Sequence, residues 1–404
     1  MNYLVKNVYG KIKNKNATVQ VPGSKSITVR ALLLAALANG KSTLYNAQFS
    51  DDCATFLDCL KNLGISCEAD GTTVKIEGCG GKLPVKSAKI NVQSSGTAAR
   101  FLTALLAFSD GEFTVDSSEQ MKKRPINPLI DCLTAAGATI ISNNGTFPLI
   151  IRGTSNPTPE ITVDITASSQ FLSALLMVGV CAKNGVKLNT VGQHGQNYVN
   201  MTLDMMWSFG VTVEEGNGTY RVKGEYSAKK YDIEPDISAA CYFYAANRIL
   251  GTDISVKGVL PHSMQGDIKF INLIKNFNGG TVDMSDVSDQ ALTLAAIAPY
   301  LKKPTHICKI AHVRGQECDR INAICSNLSA MGVKCEEHSD GVTIYPAQPK
   351  PAKINTYGDH RVAMAFALTG LRTDGIEIQN AEVVSKTFTD YFSVLDKLIS
   401  DFTK

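Results

Sequence analysis

The sequence predicts an α/β protein of two similar domains, and three observations carry that prediction. First, 404 residues are more than one ordinary domain and suggest two or three, each able to bury its own core. Second, one local pattern recurs: an apolar helical stretch closed by a Gly, an alternating run, a turn, and a second alternating run. It reads "LKNLGISCEADGTTVKIEG", "LTAAGATIISNNGTFPLIIRG", "MWSFGVTVEEGNGTYRVKGE" and "LSAMGVKCEEHSDGVTIYP". Third, Gly64, Gly137 and Gly210 recur every 73 residues, the mark of a repeated supersecondary unit. Gly332 marks a further copy, and "IKNFNGGTVDM", with Gly279 and Gly280, reads as a weaker one. Each Gly stands where a helix stops in the left-handed region, and the "DG", "NG" and "SDG" steps read as hairpin turns. The unit is therefore helix, strand, hairpin, strand, repeated five or six times. Two sets of three would make two similar domains, with the boundary near the charged stretch "KGEYSAKKYDIEPDIS" at 223–238. A hairpin after each helix excludes a simple Rossmann sheet.

Composition excludes several function classes. A net charge of +3 on a chain of this size leaves no nucleic-acid footprint. Eleven cysteines form no CxxC pair, and an odd count argues against a complete disulfide framework, so a reducing cytoplasm fits. The opening "MNYLVKNVYGKIKNKN" has no apolar core of signal-peptide length. No run approaches 18 uninterrupted apolar residues. No HExxH or Cys/His cluster suggests a metal.

In chain order, the strand "ATVQV" ends at Pro22 and Gly23, and a helix begins around Ser26, capped by Ser24 or Ser26, with "ALLLAALA" as its buried body. Helix-start N–H groups with Lys25 and Arg30 make an anion site, against the alternative of an ordinary cap. "QSSGTAARFLTALLAF" repeats the design with Ser94, Ser95, Gly96 and Thr97, then Arg100. Arg124 precedes Pro125, which restricts it to extended geometry on a loop. "TASSQFLSALLM" places Ser168, Ser169 and Gln170 ahead of a third apolar helix. Three such helix starts suggest N-termini gathered on a negative ligand, against the alternative that repeated units simply share caps. In the second half, Asp289 precedes a long apolar helix. Glu317, Asp319 and Arg320 precede another, Asp359, His360 and Arg361 a third, and Lys386 follows.

Arginine sharpens the reading. The chain has ten and prefers Lys three to one, so Arg marks fixed recognition of phosphate or carboxylate. The candidate cations are Lys25, Arg30, Arg124, Arg320, Arg361 and Lys386, with carboxylates Asp289 and Glu317. A phosphate carries about −1.5 to −2 at pH 7, and each charge-assisted contact is worth about 1.5–3 kcal/mol. Six cations exceed the need of one small phosphate and point to two anionic ligands or one large one, with the carboxylates as proton carriers. The residues themselves indicate group transfer between two phosphorylated or carboxylated small molecules.

The ordered motifs "PGSKSITVRALLLAALANGKSTL", "SGTAARF", "MKKRPINPLID", "SSQFLSALLM", "QGDI", "ECDRI", "DHRVAMAFAL" and "KTFTDYF" resemble the 5-enolpyruvylshikimate-3-phosphate synthase family of enolpyruvyl transferases over nearly the whole chain. The resemblance implies two domains, each of three βαβαββ units in an inverse α/β barrel-like fold, with the active site in the interdomain cleft closed by ligands. One domain would span 21–230 and the other 1–20 plus 231–404. It implies transfer of the enolpyruvyl group of phosphoenolpyruvate (PEP) to the 5-hydroxyl of shikimate-3-phosphate, without metal or organic cofactor, by a cytoplasmic monomer. The implied shikimate-3-phosphate contacts are Lys25, Ser26, Arg30, Ser168, Ser169, Gln170, Tyr198, Asp289, His312 and Gln316. Those for PEP are Lys25, Gly96, Arg124, Gln170, Arg320, Arg361 and Lys386. Asp289 and Glu317 resemble the proton carriers, with Lys25 and His360 beside them.

Departures from the family pattern are specific. Gln316 stands where the family has Lys, which removes a cation beside Glu317 and favours an acid role for it. Ser94 and His312 stand for Asn, Phe101 for Pro, and Gly195 for a phosphate-contacting Ser. Phe101 bears on sensitivity to glyphosate, the family's PEP-competing inhibitor. The related transferase acting on UDP-N-acetylglucosamine would show Lys-Asn after the first strand and a Cys-bearing loop before its Arg-Pro. This chain has Lys25-Ser26 and "DSSEQMKKRP". A non-catalytic anion binder on the same scaffold is opposed by the presence of Glu317, Asp289 and the PEP-side cations.

Overall fold

The computed structural model describes residues 1–193 and 195–404. The chain forms two compact units, one of Gly23–Glu234 and one of Met1–Pro22 with Pro235–Lys404.

The unit Gly23–Glu234 holds helices α1 (Lys25–Leu37), α2 (Asp51–Asn62), α3 (Gly96–Ala107), α4 (Glu119–Lys122), α5 (Asn127–Ala135), α6 (Gln170–Val178) and α7 (Gln196–Ser208). Three four-stranded sheets share one plan, a parallel pair extended by an antiparallel hairpin. In the first, Ser87–Asn91 runs parallel to Gly111–Asp116 with Ile90 opposite Val115. The hairpin Thr139–Asn143/Thr146–Gly153 then adds through Val115 opposite Leu149. The second joins Glu160–Asp164 and Val186–Val191 to the hairpin Glu214–Gly216/Thr219–Val222. The third joins Lys230–Asp232 and Asn39–Tyr45 to Ser66–Asp70/Thr73–Cys79.

Helices α1, α3 and α6 are apolar on all sides and almost wholly buried, as such a sequence requires. α3 packs on both α1 and α6. By contrast α2, α5 and α7 are half exposed and stop at Gly64, Gly137 and Gly210, with φ of 82°, 108° and 93°. Gly23 is fixed by close approach, since a Cβ there would lie 1.8 Å from the carbonyl oxygen of Asn46.

The other unit holds α8 (Ile237–Leu250), α9 (Ile268–Ile274), α10 (Ala291–Ile297), α11 (Arg320–Ala330), α12 (His360–Gly370) and α13 (Tyr391–Thr403). Gly280–Asp283 runs parallel to Thr305–Cys308 and is extended by the hairpin Cys335–His338/Gly341–Ile344. A three-stranded sheet joins Ala352–Ile354, Ile376–Ile378 and Tyr3–Leu4, and Asn16–Val19 pairs in parallel with Asp253–Val256. The buried α10 and α12 pack on each other and on α8.

Two expectations change here. The weak copy at Gly279 and Gly280 leads into a single strand, Gly280–Asp283, because Ser285–Gln290 then winds into a 3-10 turn instead of a hairpin. The long helix expected after Asp289 shrinks to α10, with 3-10 turns on both sides. Val287 is non-helical (φ −133°, ψ 37°) before it, and Pro299 lies in the turn after it. Among the described residues, no helix is long and apolar enough to cross a membrane.

Candidate active site

In the unit Gly23–Glu234, Ser24 caps α1 by accepting from the Ile27 amide at 3.4 Å, so Lys25 and Ser26 open the helix. The Lys25 Nζ lies 3.2 Å from Oδ2 of Asp52, in the first turn of α2. One turn further, Arg30 is only 1% exposed. Its guanidinium donates to Thr202 Oγ1 (2.8 Å), Ser26 O (3.1 Å), Ser173 Oγ and Tyr198 O (both 3.4 Å). It also sits 5.3 Å from the Phe101 ring and 6.0 Å from that of Tyr198. One side chain thus ties together α1, α3, α6 and α7. These acceptors are neutral, and burial lowers the Arg30 pKa to about 10. A buried cation in such company gains from any anion brought near it.

Ser95 caps α3 through the Ala98 amide at 3.4 Å. The Arg124 fork, on the loop between α4 and α5, lies against the first residue of α3: a Cβ on Gly96 would meet its Nη1, Nη2 and Cζ at 2.9–3.1 Å. At α6, Ser168 Oγ accepts from the Gln170 amide at 3.2 Å, and Ser169 is buried. Gly195 follows from the same geometry. Its φ is +59°, and a Cβ there would lie 2.4 Å from Ser169 Oγ. A side chain at 195 would need a left-handed backbone and a shift of the Ser169 hydroxyl.

In the other unit, Arg320 opens α11 behind the Asp319 cap and meets three carboxylates. Its Nε lies 2.7 Å from Asp359 Oδ2, Nη1 3.0 Å from Asp289 Oδ1, and Nη2 3.0 Å from Glu317 Oε2. Nη1 also donates to Gln316 Oε1. The second oxygen of Asp289 takes Arg361 Nη2 at 3.0 Å, and the second of Glu317 takes Lys386 Nζ at 3.3 Å. Burial acts to lower the Arg320 pKa, but Asp359, Glu317 and Asp289 outweigh it and hold the group well above its ordinary value.

Asp359 is 0% exposed and also caps α12 through the Arg361 amide at 2.8 Å. Cys318 Sγ donates to it at 3.7 Å. His360 is buried beside it, Nδ1 3.6 Å from Asp359 Oδ1. His312 Nε2 bonds Ser288 Oγ at 2.8 Å and so braces the turn that carries Asp289. Behind them Asp267 takes Ser238 Oγ and, at 2.7 Å, Gln290 Nε2, both on Oδ2. Burial and then the Asp289 charge push its pKa up, against a lowering pull from Arg361 and the two hydrogen bonds.

The structure therefore brings Asp289, Gln316, Glu317, Arg320, Arg361 and Lys386 into one network, and seats Arg30 with Ser26 and Tyr198, and Arg124 with Gly96. His312 and His360 join through Ser288 and Asp359. Part of the expected surplus of cations is matched by acids: Arg320, Arg361 and Lys386 face Asp289, Glu317 and Asp359, and Lys25 faces Asp52. Sequence reading left out Asp52, Thr202, Ser173 and Asp267, and gave Asp359 no role of its own. Asp52 reads as an ordinary helix-start acid, Ser173 and Thr202 as helix-interior residues, and Asp267 stands inside the quoted "QGDI". Among the described residues, no group of three or more His, Cys, Asp or Glu could hold a metal ion.

Comparison with known proteins bears on this arrangement. The family model for EPSP synthase (3-phosphoshikimate 1-carboxyvinyltransferase) matches residues 10–279 and 273–395. A 3-phosphoshikimate 1-carboxyvinyltransferase of Nostoc sp. is 41% identical, covering 95% of this chain and 97% of that protein. One from Halalkalibacterium halodurans is 36% identical over 95% of this chain and 92% of its own. The EPSP synthase structure from Acinetobacter baumannii superposes with a TM-score of 0.82 at 22% identity, covering 98% and 97% of the two chains, and shares the fold. With relatives this similar over nearly its full length, the chain belongs to the EPSP synthase family.

Proposed function

We propose that this protein transfers the enolpyruvyl group of PEP to the 5-hydroxyl of shikimate-3-phosphate and releases phosphate, a step of chorismate and aromatic amino-acid biosynthesis. The observation that carries the reading is the Arg320 network, three cations and three carboxylates in a chain that the family model matches over 10–279 and 273–395.

The hydroxyl oxygen adds to C2 of PEP while C3 takes a proton, giving a tetrahedral intermediate. Loss of a C3 proton then expels phosphate from C2 and restores the vinyl group. Lys25, the Gly96 backbone, Arg124, Gln170, Arg320, Arg361 and Lys386 hold PEP. Lys25, Ser26, Arg30, Ser168, Ser169, Gln170 and Tyr198 hold shikimate-3-phosphate, with Asp289, His312 and Gln316 on its ring. Asp289 and Glu317 carry the protons, with Lys25 and His360 alongside. Asp289 and Glu317 pair with the N–H donors of Arg320, Arg361 and Lys386, so a PEP anion on those cations competes with the carboxylates for the same donors. A carboxylate released from its ion pairs takes up a proton more readily, so binding prepares the proton carriers. The cations left on the PEP phosphate and carboxylate stabilise the developing charge. The cytoplasm is the compartment we propose, supported by an odd count of eleven cysteines with no CxxC pair.

Turnover in D2O tests this route. Protonation at C3 predicts deuterium in the vinyl group of the product, read by mass spectrometry. Product without deuterium would contradict addition–elimination, and no product at all would contradict the activity.

A further inference from the structure

Arg100 sits one turn inside α3 and is 2% exposed, so it is placed behind the candidate PEP residues and not among them. Its Nη1 donates to Gly96 O at 3.3 Å and approaches Met121 Sδ at 3.5 Å, while Nη2 donates to Pro125 O. The fork thus joins the first residue of α3 to the residue that follows Arg124. Gly96 is also the residue against which the Arg124 guanidinium lies.

Other ties fix the same segment. Ser94 Oγ and Ser118 Oγ lie 2.7 Å apart, the Ser118 amide donates to Gln93 O at 3.1 Å, and the Arg124 amide donates to Met121 O at 3.0 Å. Thr146 Oγ1 holds Lys122 O at 2.7 Å. All of these act on Arg124 itself or on the stretch before it. Arg100 supplies a hold on the far side, at Pro125, where proline has no N–H of its own to offer.

We infer that Arg100 is a positioning residue: it clamps the Arg124 loop onto the start of α3 and so sets where the Arg124 fork meets PEP. This rests on Arg124 being a PEP ligand. A guanidinium can serve both carbonyls at once because its donors diverge in one rigid plane. The lysine ammonium has three donors but they spread from a single nitrogen, and the glutamine side chain is shorter.

The test compares wild type, Arg100→Lys, Arg100→Gln, Arg124→Gln and the Arg100→Gln/Arg124→Gln double variant. Initial rates give KM for each substrate, and hydrogen exchange reports on residues 117–126. A misplaced ligand group costs about 10- to 100-fold, so Arg100→Gln should raise KM for PEP by that factor and leave KM for shikimate-3-phosphate nearly unchanged. Arg100→Lys should fall between it and wild type. Exchange in 117–126 should quicken in Arg100→Gln while thermal unfolding of the whole chain moves little. In the Arg124→Gln background, loss of Arg100 should cost almost nothing further. Unchanged exchange, equal rises in both KM values, or full additivity in the cycle would overturn the inference. A wild type with no turnover would instead count against the activity, and the exchange measurement would still decide whether Arg100 holds the loop.

Discussion

At Arg320 a single guanidinium serves Asp359, Asp289 and Glu317 through three different nitrogens. An ammonium cannot reproduce that fork, so Arg320→Lys should reduce kcat/KM for PEP by about 10²- to 10³-fold, as loss of an oriented charge donor does. Arg320→Met goes further, since it leaves Asp359 buried without its main counter-charge. A loss of about 3–5 kcal/mol in chemical denaturation is expected, and a loss under 1 kcal/mol would show that the network adds little to stability.

Asp267 gives the pH dependence. Its proton is held in the folded state to a higher pH than in the unfolded chain, where an Asp titrates near about 3.9. Its favourable contribution is therefore present below that value and is lost as pH rises through the raised folded value. Asp267→Asn keeps an acceptor for Ser238 and Gln290 and removes the charge. The variant should melt above wild type at pH 8, with the margin shrinking toward pH 4; a margin independent of pH would contradict this. At this scale the sequence was readable for its arginines, because a chain that uses Lys on its surface leaves Arg at special places. It was less readable for Asp52 and Asp359, whose positions are those of ordinary helix-start acids and whose partners lie far along the chain.

Helix ends organise the elements. Gly64, Gly137, Gly210 and Gly332 all have positive φ and were legible because a left-handed stop before a hairpin leaves a glycine and a turn dipeptide in the sequence. Gly279 and Gly280 also have positive φ, yet no hairpin follows them. A glycine pair reports backbone conformation and says nothing of what the next strand pairs with. At Gly137 a Cβ would find only ordinary contact, 3.8 Å from Thr154 Cγ2, so the cost of Gly137→Ala is conformational. It should lower stability by about 1–2 kcal/mol and leave KM for both substrates unchanged. A larger loss would mean that the hairpin behind it had shifted. The three serine-rich helix starts were legible as caps, and Ser24 and Ser95 do cap α1 and α3. Ser168 bonds the Gln170 amide instead of closing the helix in the usual way.

For the whole molecule, the α/β class was legible from the alternation of apolar helices and hairpins. The pairing of Tyr3–Leu4 with Ile376–Ile378, and of Asn16–Val19 with Asp253–Val256, was not legible from local pattern, because such pairings depend on distant strands. Gly23–Glu234 is continuous and contains three complete sheets with their own buried helices. Expressed alone, it is expected to unfold in one cooperative transition and to bind shikimate-3-phosphate, seen by calorimetry. It should release no phosphate from PEP, since Asp289 and Glu317 belong to the other unit; turnover by the fragment would contradict their role.

The most direct test of the account is the initial rate of phosphate release from PEP by the full chain, with shikimate-3-phosphate or UDP-N-acetylglucosamine as acceptor. Release with the shikimate ester and none with the nucleotide sugar is the predicted result. Release with the nucleotide sugar, or none with a shikimate ester that is nonetheless bound, would contradict it.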